Sequence, residues 1–369
     1  MDELPGILFT FWGRRGALSQ FALEAARAAR KHKGIRAAFS VSRQNESFAE
    51  FKEADVPLLP IDTFSSHGGA ITGLWRVPGL RRRLTRYTRQ HRIQAVLELM
   101  PHVWSPLVIS ALDGTGVRYA TIVHDASAHP GDRTAIVKPL LDMPLRMARP
   151  VLTLSKQVAS ELIASNRVPA SRIRTLFHPD LTYSDLKERR YPEKGEPFRL
   201  LFLGRIMPYK GLPLFVDAVE TLRGQGFNVL PCVYGEGTLA GEERRLGSLN
   251  AEVVNRWLTG EEIAGALASA HAVVLSHVEA SQSGVAAAAF GARLPVVATP
   301  IGGLREQVED GKTGILASAA SGPALAEAIS RLILQPTLYR SIVERLNLER
   351  NKYSMSNFLD AAIEATFSI

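Results

Sequence analysis

The sequence predicts an α/β chain built as two doubly wound, Rossmann-like domains in series. Three observations predict it. Short apolar runs alternate with helix-like stretches almost throughout, which is the rhythm of parallel βαβ units. One polar, proline-bearing stretch, HPDLTYSDLKERRYPEKGEP at 178–197, interrupts that rhythm, which then restarts. The length, 369 residues, suits about two domains.

In the first half, residues 6–11, 95–99, 119–123 and 151–154 read as buried strands, and 18–30, 80–91 and 158–166 as helices between them. In the second half the apolar runs at 199–204, 229–233, 272–275 and 295–298 read as strands, with a helix opening near Leu212. Ser281 stands where an N-cap belongs, ahead of a small-residue helix over about 282–290. The tail at 354–367 has helical spacing and no strand after it. The expected division is a first domain over 1–180, a second over 181–353, and a closing helix over 354–369 that returns to the first domain.

A composition of 46% hydrophobic and 22% charged residues is that of a folded globular chain. The single cysteine, Cys232, excludes an intramolecular disulfide and fits a reducing compartment. The start, Met1-Asp2-Glu3-Leu4-Pro5, lacks the basic and apolar regions of a signal peptide, and no apolar run approaches the roughly 20 residues of a spanning helix. A cytoplasmic chain, soluble or peripheral on the inner face of the plasma membrane, is expected. The formal net charge is +8, and the excess is uneven. Seven arginines lie between Arg76 and Arg92, and a second basic cluster spans Arg27 to Arg36. Nucleic acid, anionic lipid or an acidic acceptor would each account for such a surface.

The polar residues at strand ends carry the chemistry, because ligands of parallel sheets bind at the carboxyl ends of the strands. Gly204-Arg205-Ile-Met-Pro-Tyr-Lys210-Gly211 follows one such strand. Gly204 permits close backbone approach, Arg205 offers a planar fork and Lys210 a point charge, both suited to phosphate oxygens. Tyr234-Gly235-Glu236-Gly237 follows the next strand and reads equally as a tight turn. Glu279 lies in the polar loop after 272–275, with Ser281, Gln282 and Ser283 at the helix start, where free N–H groups attract anions. His124-Asp125 closes the strand at 119–123, with His129-Pro130-Gly131 close behind. The loop Gly13-Arg-Arg-Gly16 opens the first helix and lacks the GxGxxG dinucleotide fingerprint. No cysteine pair or HExxH spacing accompanies the histidines, so no metal is expected.

Taken in this order and spacing, LLFLGRIMPYKGL, VYGEG, EASQSGVAAAAFGARLPVVATPIGG and the downstream Glu306…Asp310-Gly311…Gly314 resemble the retaining nucleotide-sugar glycosyltransferases of family 4, the group 1 glycosyltransferases, with the GT-B fold. The resemblance covers about 199–316 closely and the first half loosely, through the glycine-bearing first loop and TIVHDASAHPG. It implies that Arg205 and Lys210 clamp the donor diphosphate, with backbone donors from Ser281, Gln282 and Ser283. It further implies that Gly204 and Gly235 line the donor, that Glu279 holds sugar hydroxyls, and that His124 lies near the anomeric carbon. Gly13 and Gly16 would approach the same diphosphate or the acceptor. In one respect the chain departs from the pattern. Most members carry a second glutamate about eight positions after the first, which usually holds the ribose. Here that position is Ala287 or Ala286, and no acid occurs from Ala280 to Leu304. The EASQSG form resembles a branch lacking this acid.

The resemblance therefore implies transfer of a hexosyl-type group from a nucleotide-diphosphate sugar to an acceptor hydroxyl with retention, in polysaccharide, lipopolysaccharide or glycolipid assembly. The nucleotide-sugar is a substrate, and no cofactor is expected. The expected partners are that donor, a glycan or lipid-linked acceptor, and an anionic membrane surface. Nucleic acid is not expected, because no reader motif is present and the charge sits in one lobe. The alternative is a sugar-nucleotide binder of the same fold without catalysis, motivated by the missing second acid.

Overall fold

In the computed structural model the described residues are 4–65, 67–127, 137–184, 189–239 and 241–368. His129-Pro130-Gly131 and part of the linker, 185–188, lie outside them. The described chain divides into two compact units, one of residues 4–127, 137–177 and 355–368, the other of 178–184, 189–239 and 241–354.

The first unit holds strands β1 (Gly6–Phe11), β2 (Arg36–Ser42), β3 (Leu58–Ile61), β4 (Ile93–Glu98), β5 (Arg118–Val123), β6 (Val151–Thr153) and β7 (Ile173–Thr175). All pairs are parallel, in the order β3-β2-β1-β4-β5-β6-β7. β1 is buried along its whole length, as expected of a central parallel strand with helices on both faces. Helix Ala17–Lys31 presents Phe21, Ala22, Ala25, Ala26 and Ala29 inward at helical spacing, and Arg30 and Lys31 sit at its negative end. The closing helix, Met355–Phe367, belongs to this unit and packs on that first helix. Phe358 meets Phe21 edge to face at 5.3 Å, and His32 Nε2 lies 2.8 Å from Asp360.

The second unit holds β8 (Phe198–Leu203), β9 (Val229–Tyr234), β10 (Glu252–Val254), β11 (Ala272–Leu275), β12 (Val296–Ala298) and β13 (Gly314–Leu316). These are also parallel, in the order β10-β9-β8-β11-β12-β13. Helices Leu212–Gly224 and Gly322–Leu334 cover one face, burying Phe215, Val219, Leu222, Leu325, Ile329 and Leu332.

Each sheet has one switch point, between β1 and β4 in the first and between β8 and β11 in the second, where the strand order reverses. The loops after β8 and β11 are those carrying Arg205, Lys210 and Glu279.

Three helix starts differ from expectation by two residues or more. The helix expected at 158–166 runs Lys156–Ala164, capped by Ser155, whose Oγ accepts from Val158 N at 3.2 Å. The small-residue helix runs Gly284–Gly291 and is capped by Ser283, whose Oγ accepts from Ala286 N at 3.3 Å; Ser281 is not the cap. Residues 280–281 stay in the loop because their carbonyls are met closely by a glycine turn. A Cβ on Gly302 or Gly303 would lie 1.9 Å from Ala280 O or Ser281 O. The arginine-rich helix begins at Val77 rather than Leu80, since Pro78 is well placed in a first helical turn.

Candidate functional site at the second switch point

Two glycines shape the loops after β8 and β9. Gly204 has φ 101°, and a Cβ on Gly235 would stand 1.9 Å from Gly204 O. The loops after β8 and β9 are then laced together: Gly204 N donates to Tyr234 O at 3.0 Å and Ile206 N to Glu236 O at 2.8 Å. Gly235 thus has a structural duty in seating the Arg205 loop.

Lys210 ends a 3-10 turn, Pro208–Lys210, whose next residue, Gly211, has φ 67°. A Cβ at Gly211 would lie 2.0 Å from Ser276 O, so the loops after β8 and β11 touch backbone to backbone. Val278 N donates to Tyr209 O at 2.9 Å, and Ser276 Oγ donates to Lys210 O at 3.0 Å. Lys210 Nζ lies 2.9 Å from His277 Nε2. An ammonium has no acceptor, so Nε2 accepts and His277 is the neutral Nδ1–H tautomer. His277 is buried, and its carbonyl accepts from Thr299 Oγ1 at 2.6 Å. The structure therefore brings Lys210 and the Glu279 loop together, with His277 as an unforeseen contact between them. Arg205 and Glu279 are exposed, and Ser281 is buried.

The start of helix Gly284–Gly291 offers donors other than those expected. Ser283 N already donates to Gln307 Oε1 at 2.7 Å, and Gln307 Nε2 returns to Ser283 O at 3.3 Å. Ala286 N is taken by Ser283 Oγ. The N–H groups of Gly284 and Val285 have no acceptor among the described residues. Ala286 and Ala287, the two candidates for the missing second acid, are buried, and the Ala287 carbonyl accepts from Leu181 N at 3.0 Å. Any side chain at 287 larger than alanine starts from a closed position.

In the first unit, His124 follows β5 and is 5% exposed. Its Nε2 lies 2.8 Å from Leu99 O; a carbonyl only accepts, so Nε2 carries the proton and Nδ1 is the acceptor. Burial lowers its pKa, outweighing the opposing effects of the Leu99 carbonyl and Asp125, so the imidazole is neutral at pH 7. Gly16, at φ 98°, caps helix Ala17–Lys31, and its N–H donates to Glu46 Oε1 at 2.7 Å. Asn45 Nδ2 holds Gly13 O at 2.9 Å. A carboxylate already occupies this helix start and would repel a phosphate there, which weighs against the diphosphate role for Gly13 and Gly16.

A buried acid also escaped the sequence reading. Glu98, at the end of β4, is 1% exposed and accepts from Ser105 Oγ, from Tyr119 Oη at 2.5 Å and from Thr121 Oγ1 at 2.9 Å. Desolvation raises its pKa to about 7 against the lowering effect of those donors.

Two Rossmann-like parallel-sheet domains, with polar loops at the switch points, define the GT-B architecture. Residues 197–335 match the family model described as Glycosyl transferases group 1. The matched stretch lies within the second domain.

Among curated proteins the chain is 26% identical over 227 residues to the alpha-D-kanosaminyltransferase of Streptomyces kanamyceticus, covering 58% of each chain. It is 29% identical over 203 residues to the D-inositol 3-phosphate glycosyltransferase of Arthrobacter sp. (strain FB24), covering 48% of each. The chain thus spans about half the length of the curated relatives it matches. Among solved structures, Anabaena Alr3699/HepE in complex with UDP-glucose superposes with a TM-score of 0.74 at 16% identity, over 99% of this chain and 100% of that one. A putative UDP-N-acetylglucosamine 2-epimerase from Listeria monocytogenes superposes at 0.63 and 14% identity, over 99% and 97%. Such identities show the fold alone.

Proposed function

We propose that the protein transfers a sugar from a nucleotide-diphosphate donor to an acceptor hydroxyl. The observation that carries this reading is the joining of the Lys210 turn to the Glu279 loop at the second switch point, with Lys210 held by His277 at 2.9 Å. When the glycosidic bond to the diphosphate breaks, negative charge grows on the leaving oxygens. Cations fixed in advance stabilise that charge without reorganisation. Arg205 and Lys210 serve this role, assisted by the N–H groups of Gly284 and Val285 in place of Ser283. No metal is required by this scheme.

Glu279 holds hydroxyls of the donor sugar, because a carboxylate facing the diphosphate would oppose its binding. The family resemblance assigns His124, a neutral imidazole, to the reacting sugar. Gly13 and Gly16 belong to the acceptor side. Retention follows if the leaving phosphate itself takes the acceptor proton on the face it departs from. The acceptor is a glycan or a lipid-linked glycan, in polysaccharide, lipopolysaccharide or glycolipid assembly on the inner, anionic face of the membrane.

A panel of nucleotide-sugars, assayed for slow hydrolysis and for transfer, tests this. Turnover of at least one donor, lost in Lys210→Ala with the fold intact, is expected. Ala287, where a ribose acid usually stands, favours a second reading, a binder without catalysis. Binding without turnover of any donor would select it.

A further inference from the structure

Between Asp62 and Glu98 the chain has no acidic residue and carries seven arginines. Three of them make hydrogen bonds to main-chain carbonyls or Ser110 within the fold. Arg81 Nη1 donates to Leu107 O and Ser110 Oγ, each at 2.6 Å; Arg83 reaches Pro60 O at 2.8 Å, and Arg76 reaches Thr63 O at 3.1 Å. Helix Val77–Gln90 buries Val77, Leu80, Leu84 and Thr88 on its other side. Arg82, Arg86 and Arg89 recur at i, i+4 and i+7, so they share the exposed face. Among the described residues none of these three has a carboxylate or carbonyl partner. The second basic cluster differs: Arg30 pairs with Asp55 at 2.9 Å and Arg36 binds the carbonyls of Leu4 and His91.

Directly ahead of this helix, large apolar side chains stand in water. Ile71 is 73% exposed, Leu74 41% and Trp75 75%, whereas Trp12 and Trp104 are buried. Arg76 lies 5.4 Å over the Trp75 ring. An aromatic and two aliphatic side chains, exposed just ahead in the chain of three exposed arginines, combine the two requirements for interfacial lipid binding: apolar surface to bury and positive charge for the headgroups.

We propose that this segment, Ile71 to Arg89, is a lipid-facing surface. Ile71, Leu74 and Trp75 enter the headgroup–acyl boundary of an anionic bilayer while Arg82, Arg86 and Arg89 meet its phosphates. A second copy of the chain is a poor occupant, since a self-complementary contact sets the same positive face against itself. Nucleic acid matches the arginines but gives the aliphatic side chains no use. The inference gives a surface to the membrane contact in the reading above. Lipid binding and sugar transfer are measured separately, so each can fail alone.

The test is co-sedimentation of the full chain with vesicles of phosphatidylglycerol and phosphatidylcholine, against phosphatidylcholine alone. Attraction of a surface cation to an anionic leaflet corresponds to about fivefold in binding per arginine. Arg82→Glu/Arg86→Glu/Arg89→Glu should therefore lower the partition by roughly a hundredfold or more. Ile71→Ser/Trp75→Ser should weaken binding and remove the blue shift of tryptophan emission on vesicles. Arg27→Glu/Lys33→Glu, on the other cluster, should change binding far less. Equal loss in that control, no binding to anionic vesicles, or indifference to both sets of substitutions overturns the proposal. So does oligonucleotide binding or self-association at the same salt that the arginine substitutions abolish while vesicle binding stays unchanged.

Discussion

The contact between Lys210 and His277 sets the sharpest expectation for catalysis. His277→Leu keeps an apolar body of similar size and removes the acceptor 2.9 Å from Lys210 Nζ. A hydrogen bond to a charged group contributes about 1.5–3 kcal/mol. His277 is only 3% exposed, so water replaces the lost acceptor poorly and the upper part of that range applies. The expected loss is about fifty- to hundredfold in kcat/KM for the donor, with kcat falling because Lys210 acts on the leaving diphosphate. His277→Gln, which returns an acceptor near Nε2, should recover part of it. The assay is a double-mutant cycle with Lys210→Ala, with thermal unfolding followed in parallel. In the Lys210→Ala background His277→Leu should cost less than about threefold, since the partner is already gone. If the two losses simply multiply, or if His277→Leu leaves the rate unchanged, His277 does not act through Lys210.

Other expectations follow from the same geometry. Because Glu98 titrates near 7 in the fold against 4.5 when solvated, the folded state binds more protons between those values. Stability is therefore highest below about pH 4.5, with respect to this group, and falls as pH rises toward 7, by up to roughly 3 kcal/mol. Glu98→Gln should flatten that slope in urea titrations. Gly235→Ala puts a Cβ 1.9 Å from Gly204 O at φ 148°, and should lower stability by more than about 2 kcal/mol in denaturant titration. Glu46→Gln removes the negative charge at Gly16 N, 2.7 Å away. It should alter the KM for acceptor and leave donor affinity unchanged; a tighter donor would return Gly13 and Gly16 to the diphosphate.

Much of the fold was legible in the sequence because central parallel strands are continuous apolar runs. β1 and β11 appear with their expected limits, 6–11 and 272–275. Five strands were not placed: β2 reads RAAFSVS, β3 carries Pro60, β7 and β10 carry Arg174 and Glu252, and β13 is only GIL, whereas the equally short β6 and β12 stood out as apolar runs. In the candidate site, Arg205, Lys210 and Glu279 stood out because charge directly after an apolar strand is conspicuous. His277 did not, since its pairing with Lys210 depends on backbone contact between two loops far apart in sequence. The capping residue was placed two positions early because Ser281 and Ser283 are equally good caps by type. The close approach of Gly302 and Gly303 to the carbonyls of 280–281, with Gly303 N donating to Ala280 O at 3.0 Å, is a long-range contact no local pattern reveals. Gln307, which takes the Ser283 N–H, gave no local signal at all.

The central claim is that the second switch point grips a diphosphate. Calorimetric titration of the chain with a nucleoside diphosphate and the matching monophosphate, with Arg205→Ala and Lys210→Ala alongside, tests it most directly. The account predicts that the diphosphate binds at least tenfold more tightly than the monophosphate for one nucleobase, and that either substitution removes most of that difference. Equal affinity for the two, or a preference for diphosphate that survives both substitutions, would contradict it.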